Sequence, residues 1–379
     1  MDPWIAEQAA LIARPAERRL EALVAVSSPS GDGSAAEKCL AVCCALLPPE
    51  VEIERPPCSS PDHAPDLVAR LPGTGTGRML LLGHIDTVVP HDAHRVLGRS
   101  EDRLVGSGAV DMKGGVVLAL GVMRALAERL ETFAEVALLL VCDEEWRTSP
   151  FRHIESFASW DACLCFEAGE LTAEGDEGVV VKRKAAGTLR VIAEGRSAHS
   201  GSAPEAGRNA LLALAKVAEA VASCHSPTGP LRLTAVPTIL TSGTAFNVVP
   251  GGGELWSDLR ADDASAFDDV YAAIPAEHDG VRLIQDVQRV WPGMDAREQT
   301  AAMLESATAL LGRPIVGTAR GGASDASHFA PSIALTVDGL GPRGGAAHNP
   351  DEYVLPDSLR PRAEVALAIA MAALGRPDA

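Results

Sequence analysis

The sequence predicts an α/β protein in which a mostly parallel-sheet domain carries an inserted, smaller α+β domain. Helix-like and strand-like segments alternate in the first third of the chain, and several of the strands are continuously apolar. Such alternation is typical of parallel sheets covered by helices. The pattern changes near residue 185 and returns near residue 295, which indicates that a second domain interrupts the first.

The length of the chain supports two domains. A single hydrophobic core usually stops growing at about 250–300 residues, whereas this chain has 379 residues, of which 47% are apolar. We therefore predict a main domain made from residues 1–184 and 295–379, with residues 185–294 as the insertion.

The first third of the chain supplies most elements of the main domain. Apolar residues at helical spacing predict helices over residues 16–27, 34–47 and 115–130. Apolar runs bounded by turn residues predict strands over residues 66–71, 78–84, 135–142 and 162–166. The glycines of residues 73–77 precede a strand and lack a following Lys-Ser/Thr, which indicates a turn rather than a phosphate-binding loop.

The inserted segment has the element order of a ferredoxin-like α+β sandwich, which is strand, helix, two strands, helix and strand. The predicted elements are residues 187–194, 207–223, 232–240, 254–260, 263–274 and 281–286. Polar and apolar residues alternate in the first strand, which predicts a sheet with one open face. A long Ala-rich helix is predicted at the end of the chain.

Charge and cysteine usage argue against several classes of protein. A formal net charge of -18 disfavours binding to nucleic acids or anionic lipids. No apolar run reaches the roughly 20 residues of a membrane span, and the first residues do not resemble a signal peptide. The eight cysteines lie partly inside apolar runs, as free thiols do in a reducing compartment. We expect a cytoplasmic protein that binds neither nucleic acid nor membranes.

Histidine and carboxylate side chains follow three of the predicted strands. His84 and Asp86 lie two residues apart, so their side chains share one face. Glu144 and Glu145 follow the next buried strand, and Glu167 follows a further one. The carboxyl ends of parallel strands meet at one edge of the sheet, where ligands bind. We therefore expect these groups to converge.

Two glycine-rich segments supply further candidates. Asp111 lies within residues 106–115, where it could cap the following helix or bridge two cations through its two oxygens. His348 ends the glycine-rich segment 341–348. Imidazole and carboxylate ligands without thiolates suit a catalytic zinc pair better than a structural site. Two metals about 3.5–4 Å apart can together activate water and bind a carbonyl.

These motifs resemble those of the zinc-dependent aminoacylase and carboxypeptidase family of metallopeptidases, which includes acetylornithine deacetylase, succinyl-diaminopimelate desuccinylase and the glutamate carboxypeptidases. The resemblance runs in order from about Leu23 to the final helix. It is most specific in residues 83–90, 108–115 and 143–145, while residues 198–210 are most similar to the glutamate carboxypeptidase branch.

The resemblance implies a division of labour in a site that holds two zinc ions, with manganese or cobalt as possible substitutes. By that resemblance Asp111 bridges the two metals and Asp86 supports His84. His84 and Glu167 then complete one site, whereas the other is completed by Glu145 and His348. A water between the metals would attack the substrate carbonyl, with Glu144 as the general base that later protonates the leaving amine.

The resemblance also implies roles for residues outside the metal set. The inserted domain would act as a lid and form a homodimer, in which His199 stabilises the oxyanion in the partner's active site. Asn247 and Arg260 match the family's substrate-binding pair. Arg260 could also form only a salt bridge with Asp258. Ser324 would offer a hydroxyl to the substrate from a glycine-rich loop.

We predict hydrolysis of an N-acyl amino acid or a small peptide-like conjugate, which releases an amino acid with a free α-carboxylate. A dipeptidase or aminopeptidase on the same scaffold is the alternative, and it would need a site for the substrate ammonium. A non-catalytic binding protein would be expected to lack Glu144 or a ligand, and a structural metal site would have no spare acid.

The sequence departs from the family at two places that bear on the substrate. Glutamate-specific members carry a lysine shortly after the glutamate that corresponds to Glu167, and residues 175–178 contain none. Residues 146–150 lack the Gly-Ser pair that usually follows the acidic residues. Asp325, next to the glycine-rich loop, is expected to cap the following helix.

Overall fold

The computed structural model describes residues 1–375 as two compact units. The main unit contains Met1–Lys182, Asp295–Arg320 and residues 324–375. The inserted unit contains Arg183–Met294 and Gly321–Ala323. Each unit has a hydrophobic core of its own.

The secondary structure elements are numbered in chain order. The helices are α1 (Pro3–Val24), α2 (Gly33–Leu46), α3 (Gly114–Leu126), α4 (Ile154–Phe157), α5 (Ala210–Ser223), α6 (Phe267–Ala273), α7 (Arg297–Leu311), α8 (Ala326–Phe329) and α9 (Leu359–Leu374). The strands are β1 (Glu52–Glu54), β2 (Leu67–Pro72), β3 (Arg78–His84), β4 (Gly98–Ser100), β5 (Arg103–Val105), β6 (Glu135–Val141), β7 (Ala162–Cys165), β8 (Glu170–Leu171), β9 (Glu177–Arg183), β10 (Ala185–Glu194), β11 (Ala198–His199), β12 (Thr234–Ser242), β13 (Val248–Val249), β14 (Gly252–Ala261), β15 (Glu277–His278), β16 (Val281–Trp291), β17 (Met294–Asp295), β18 (Ile315–Arg320), β19 (Leu335–Val337), β20 (Gly344–Gly345) and β21 (Tyr353–Val354).

A six-stranded sheet in the order β1-β2-β6-β3-β7-β19 forms the centre of the main unit. Strands β6, β3, β7 and β19 are parallel neighbours, whereas β1 and β2 add an antiparallel edge. The helices α1, α3 and α9 pack against one another, and α3 also packs on β3. The predicted fold class, a mostly parallel α/β sheet, is confirmed.

The first helix is longer than its predicted span of residues 16–27. It begins at Pro3, because the Asp2 carboxylate accepts hydrogen bonds from the backbone N–H groups of Trp4 and Ile5. Pro15 lies inside the helix rather than at its start. Buried residues continue on one face on both sides of this proline, so burial of that face outweighs its local effect.

The inserted unit contains a five-stranded antiparallel sheet in the order β12-β14-β10-β16-β15. Its buried apolar residues alternate along β10 and β14 and pack with those of α5 and α6. The order of its main elements matches the sequence prediction. Two short strands, β11 and β13, form a separate antiparallel pair.

Two further observations concern the whole of the described region, residues 1–375. No helix within residues 1–375 is long and apolar enough to cross a membrane. All eight cysteines lie in this part of the chain and are free thiols.

Candidate metal centre

Three neighbouring parallel strands bring the predicted acidic and histidine residues to one edge of the sheet. His84 is the last residue of β3 and pairs in register with Val141, the last residue of β6. Glu144 and Glu145 follow three and four residues later. Strand β7 lies on the other side of β3, and Glu167 comes two residues after its end. The convergence expected from the strand ends is therefore present.

Asp111 reaches the same place from a tight turn before α3. The turn spans Ala109–Lys113 and has the hydrogen-bond pattern of a π-helix. The peptide bond between Asp111 and Met112 is cis. Gly108 enters the turn with a φ of 71°, and a Cβ atom there would lie 2.6 Å from the Thr87 Cγ2 atom. Both observations require glycine at this position.

The five predicted metal ligands form two groups that share Asp111. One group consists of His84, Asp111 and Glu167, and the other of Asp111, Glu145 and His348. The Asp111 Oδ1 atom lies 3.1 Å from His84 Nε2, and its Oδ2 atom lies 3.1 Å from His348 Nε2. Each carboxylate oxygen of Asp111 thus faces a different group.

The spacing of these atoms suits metal binding. His84 Nε2 lies 3.7 Å from Glu167 Oε1, and His348 Nε2 lies 3.1 Å from Glu145 Oε2. Ligands at about 2.0–2.1 Å in a tetrahedral zinc site are separated by roughly 3.3 Å. The donor set consists of imidazole nitrogens and carboxylate oxygens, as in catalytic zinc sites. These residues fit a pair of divalent cations.

The carboxylates of the cluster favour the charged form of its two histidines. Hydrogen bonds to Asp111 and Glu145 raise the pKa of His348 to about 11. Burial opposes a charge on His84, but its hydrogen bonds to Asp111 and Asp86 outweigh burial and raise the pKa of His84 well above its ordinary value. The clustered carboxylates therefore require positive charge beside them, which bound cations would also provide.

Asp86 connects the first ligand to the acidic segment that follows β6. Its carboxylate accepts hydrogen bonds from the backbone N–H groups of Glu144 and Glu145, at 3.2 and 3.1 Å. Its Oδ1 atom lies 3.4 Å from His84 Nδ1, on the side of the ring opposite Asp111. Asp86 is thus placed to orient His84 and to fix the backbone of the acidic segment at the same time.

Glu144 differs from its acidic neighbours because it belongs to neither ligand group. Among residues 1–375 its carboxylate has no hydrogen-bond or ion-pair partner. Burial, with the nearby charges of Asp325, Glu167 and Glu145, raises the pKa of Glu144 well above its ordinary value. A carboxylate that has no structural partner among residues 1–375 and lies among candidate metal ligands is available for proton transfer.

A buried ion network lies next to Glu144. The Arg147 guanidinium donates two hydrogen bonds to Asp325, at 2.6 and 2.7 Å, and two to Asp143, at 3.0 and 3.2 Å. The prediction that Asp325 caps α8 is wrong, because its carboxylate makes no capping hydrogen bond and binds Arg147 instead. Arg147 occupies the segment in which the sequence departs from the usual Gly-Ser pair.

Ser324 is completely buried in the main unit. Its hydroxyl donates a hydrogen bond of 2.6 Å to the Asp338 carboxylate and accepts one from the backbone N–H of Ala326. The hydroxyl therefore serves the interior of the fold, and this geometry gives no support to the predicted contact with substrate.

The three remaining predicted residues lie in the inserted unit. His199 is exposed at the end of β11, and its Nδ1 atom accepts hydrogen bonds from Gly201 N and Ser202 N at 3.1 Å each. This arrangement assigns the ring proton to Nε2, which is left as a donor. Asn247 is also exposed. Arg260 forms an ion pair with Asp258 at 3.0 Å, as the alternative interpretation expected.

Glu352 was missed in the sequence, although it holds the turn that carries Asp111. Its buried carboxylate accepts hydrogen bonds from the backbone N–H groups of Gly108, Val110 and Asp111, at 3.0, 2.8 and 2.9 Å. Burial raises the pKa of Glu352 to about 7 despite these three donors. The available signal was its position four residues after His348.

The segment before Glu352 also has an unusual backbone. His348 has a φ of 63°, in the left-handed region. A residue with a side chain adopts this region at a cost of about 1–2 kcal/mol. Backbone conformations of this kind concentrate at functional sites, where the surrounding structure enforces them.

Comparison with known proteins agrees with this geometry. Residues 80–372 match the model of the peptidase family M20/M25/M40. The chain is 27% identical over 307 residues to carboxypeptidase G2 from Pseudomonas sp. (strain RS-16), which covers 76% of this chain and 72% of the relative. It is 30% identical over 249 residues to acetylornithine deacetylase from Aliivibrio salmonicida, which covers 60% of this chain and 61% of the relative.

Solved structures show the same fold. The M20 family metallo-carboxypeptidase Sso-CP2 from Sulfolobus solfataricus aligns with a TM-score of 0.74 at 16% identity, covering 95% of this chain and 99% of the other. The aminopeptidase PepT from Bacillus cereus aligns with a TM-score of 0.71 at 20% identity, covering 96% and 99%. The family resemblance predicted from the sequence motifs is confirmed, and the chain belongs to the peptidase family M20/M25/M40.

Proposed function

We propose that this protein hydrolyses the amide bond of an N-acyl amino acid or a small peptide-like conjugate, and that it releases an amino acid with a free α-carboxylate. The observation that carries the proposal is Asp111, whose two oxygens face two separate groups of ligands. Membership of a peptidase family supports amide hydrolysis as the reaction.

His84, Asp111 and Glu167 would hold one metal ion, and Asp111, Glu145 and His348 the other. Zinc is the proposed metal, and manganese or cobalt could replace it at such ligands. When bound, the pair would supply a Lewis acid for the amide carbonyl and would make water acidic enough to act as a nucleophile near neutral pH. Asp86 keeps the His84 ring oriented for this site.

Glu144 is the proposed general base. Its carboxylate takes a proton from the attacking water and later donates a proton to the nitrogen of the leaving amino acid. The amide bond therefore breaks with release of a neutral amine instead of an anion. The absence of any structural partner for Glu144 among the described residues supports this role, because no hydrogen bond has to be broken first.

His199 is proposed to donate its Nε2–H to the oxygen of the carbonyl under attack, as the family resemblance implies for the partner subunit's site. The proposed homodimer forms through the inserted unit. Its edge strand β12 exposes Val236, Ile239 and Leu240, and Leu212 is exposed on the neighbouring α5. An apolar sheet edge of this kind favours pairing with a second copy.

Asn247 and Arg260 are the proposed contacts for the substrate, with Arg260 binding its α-carboxylate in a bidentate manner. Arg260 would have to exchange Asp258 for this carboxylate. A half-exposed ion pair contributes little stability, so this exchange costs little. We also propose a cytoplasmic location, which the free state of all eight cysteines supports.

The test of this proposal is the variant Glu144→Gln, which keeps the size of the side chain and removes its ability to accept a proton. We expect turnover of a panel of N-acyl amino acids to fall at least 1000-fold, within the range known for removal of general acid-base groups of about 10²–10⁴-fold. Metal content measured by mass spectrometry should stay at two ions per chain.

Glu155→Gln, an exposed change on α4, serves as the control and should leave both measurements unchanged. Full turnover by Glu144→Gln would refute the mechanism. A panel in which only substrates with a free α-ammonium are cleaved would instead favour the dipeptidase or aminopeptidase alternative.

A further inference from the structure

A cleft in the main unit contains charged groups that the proposed reaction does not use. It has a volume of about 360 Å³ and lies between α1, α3 and the segment that follows α2. None of the candidate metal ligands lines it. Its charged residues are Arg19, Arg124, Glu50 and Glu128, and Leu11, Pro48 and Pro49 contribute apolar surface.

The walls of the cleft are held by close packing and by hydrogen bonds. A Cβ atom on Gly121 of α3 would lie 2.6 Å from the Ile12 Cγ2 atom of α1, so the two helices approach closely there. Arg124 Nη1 donates to the backbone oxygens of Leu46 and Leu47 at 3.0 Å each. This guanidinium is therefore fixed in place at the end of α2.

Arg19 lies in the same cleft without an acceptor. It is partly buried, and within residues 1–375 it makes no hydrogen bond and no ion pair. Burial and the nearby charge of Arg124 both lower the pKa of Arg19. Desolvating a guanidinium beside a second one is unfavourable unless an anion compensates the charge.

The carboxylates of the cleft do not provide this compensation. Neither Glu50 nor Glu128 forms an ion pair with Arg19, and Glu128 accepts a hydrogen bond of 2.7 Å from the Gln8 side chain. The cleft thus offers one free guanidinium fork, one anchored guanidinium and an apolar wall.

We propose that this cleft binds a small carboxylate that has an apolar body. The carboxylate accepts two hydrogen bonds from Arg19, and Arg124 adds positive charge beside it. The apolar body packs against Leu11, Pro48 and Pro49. Inorganic phosphate could bind the guanidinium but would leave the apolar wall uncovered. The volume of the cleft is near the lower limit for ligand pockets, which are about 300–1,000 Å³, so the ligand must be small.

The test uses sodium hexanoate as the probe and the zinc-loaded full-length protein. Saturation-transfer NMR should show binding to the wild-type protein, with at least a tenfold loss of affinity in Arg19→Gln. Arg18→Gln, the exposed neighbour on the same helix, is the matched control and should bind as the wild type does. Any hexanoate that binds at the metal centre would add the same saturation-transfer signal in the wild type and in both variants, so it would not change the comparison.

Three outcomes would overturn the proposal. They are equal hexanoate binding by all three proteins, no binding by any of them, and binding of inorganic phosphate at Arg19 without binding of hexanoate.

A crystal soaked with 5-bromopentanoate gives an independent answer. An anomalous bromine peak beside Leu11 and Pro48 supports the site, whereas a peak confined to the metal centre contradicts it. Turnover of Arg19→Gln should equal that of the wild type.

Discussion

At the scale of single residues, the candidate metal centre depends on groups that do not themselves bind metal. The carboxylates of Asp86 and Glu352 both accept hydrogen bonds from backbone N–H groups. Each thereby fixes a segment that carries a candidate metal ligand. Asp86 fixes the segment of Glu145, and Glu352 fixes the turn of Asp111. Partners of this kind typically change metal affinity about 10–100-fold when they are lost.

Glu352→Gln tests this positioning role. The amide of glutamine can keep the two hydrogen bonds that Oε1 accepts from Val110 and Asp111, but its NH2 group would face the Gly108 N–H as a second donor. We expect zinc affinity, measured by competition with a chelator, to fall at least tenfold while the protein stays folded by circular dichroism.

Asp351→Asn is the matched control for Glu352→Gln, because Asp351 is adjacent and exposed and its carboxylate forms an ion pair with Arg95 on the surface. Its zinc affinity should equal that of the wild type. If Glu352→Gln also bound zinc as the wild type does, Glu352 would not position Asp111.

At the scale of elements, the last helix anchors the loop that leads to His348. Arg362 of α9 is fully buried and donates to Glu177 and to the backbone oxygens of Gly178, Gly339 and Gly341. Arg343 and Arg313 reach the same Glu177 carboxylate. One buried guanidinium thus joins β9 to the glycine-rich loop that continues to the metal centre.

Arg362→Met should therefore destabilise the main unit strongly, since it leaves buried acceptors without a donor. Breaking a buried ion pair by removing one partner costs about 3–5 kcal/mol. Arg360→Met on the same helix removes a pair in which the arginine is exposed, and the buried Glu364 keeps its ion pair with Arg313, so we expect a cost of about 0.5 kcal/mol. Urea unfolding followed by fluorescence checks both values, and equal midpoints for the two variants would contradict the anchoring role.

The elements also show what the sequence could and could not predict. Strands β3, β6 and β7 were predictable because each is a continuous apolar run, and their ends located His84, Glu145 and Glu167. Asp111 could also have capped the following helix, and the family resemblance selected both its role and that of His348. Arg362 was not predictable, because an arginine in an Ala-rich helix gives no sign of whether its guanidinium is buried.

Glu352 was missed for a related physical reason. Its partners are backbone N–H groups more than 200 positions away in the chain, and backbone groups leave no pattern in a sequence. The helix predicted over residues 16–27 begins too late, because Pro15 lies inside α1 and the helix starts at Pro3. In both cases tertiary packing outweighed the local signal.

At the scale of the whole molecule, the proposed homodimer makes a direct prediction about catalysis. If His199 acts in the partner subunit's site, Glu144→Gln and His199→Ala disable different halves of each active site. Each variant alone should be nearly inactive while it retains its metal. A mixed dimer of the two variants should contain one intact site, so mixing after dissociation and reassociation should restore up to about a quarter of wild-type turnover, the share that random assortment of subunits allows.

The control for this experiment is the mixture of Glu144→Gln with an Asp86→Asn variant, since both changes lie in the main unit and no pairing of their subunits yields an intact site. That mixture should stay inactive. Absence of restored activity in the His199 mixture, with mixed dimers shown by native mass spectrometry, would place His199 in its own subunit's site or outside catalysis.

The shared position of Asp111 has a consequence for biosynthesis. Four of the five candidate ligands precede the inserted unit, but His348, Glu352 and Arg362 all follow it. A nascent chain that has emerged only as far as the inserted unit therefore carries one complete ligand group and an Asp111 turn without its Glu352 acceptor. Assembly of the second group waits for the last part of the chain, so the proposed activity would require the segment that carries His348 and Glu352 to have been synthesised.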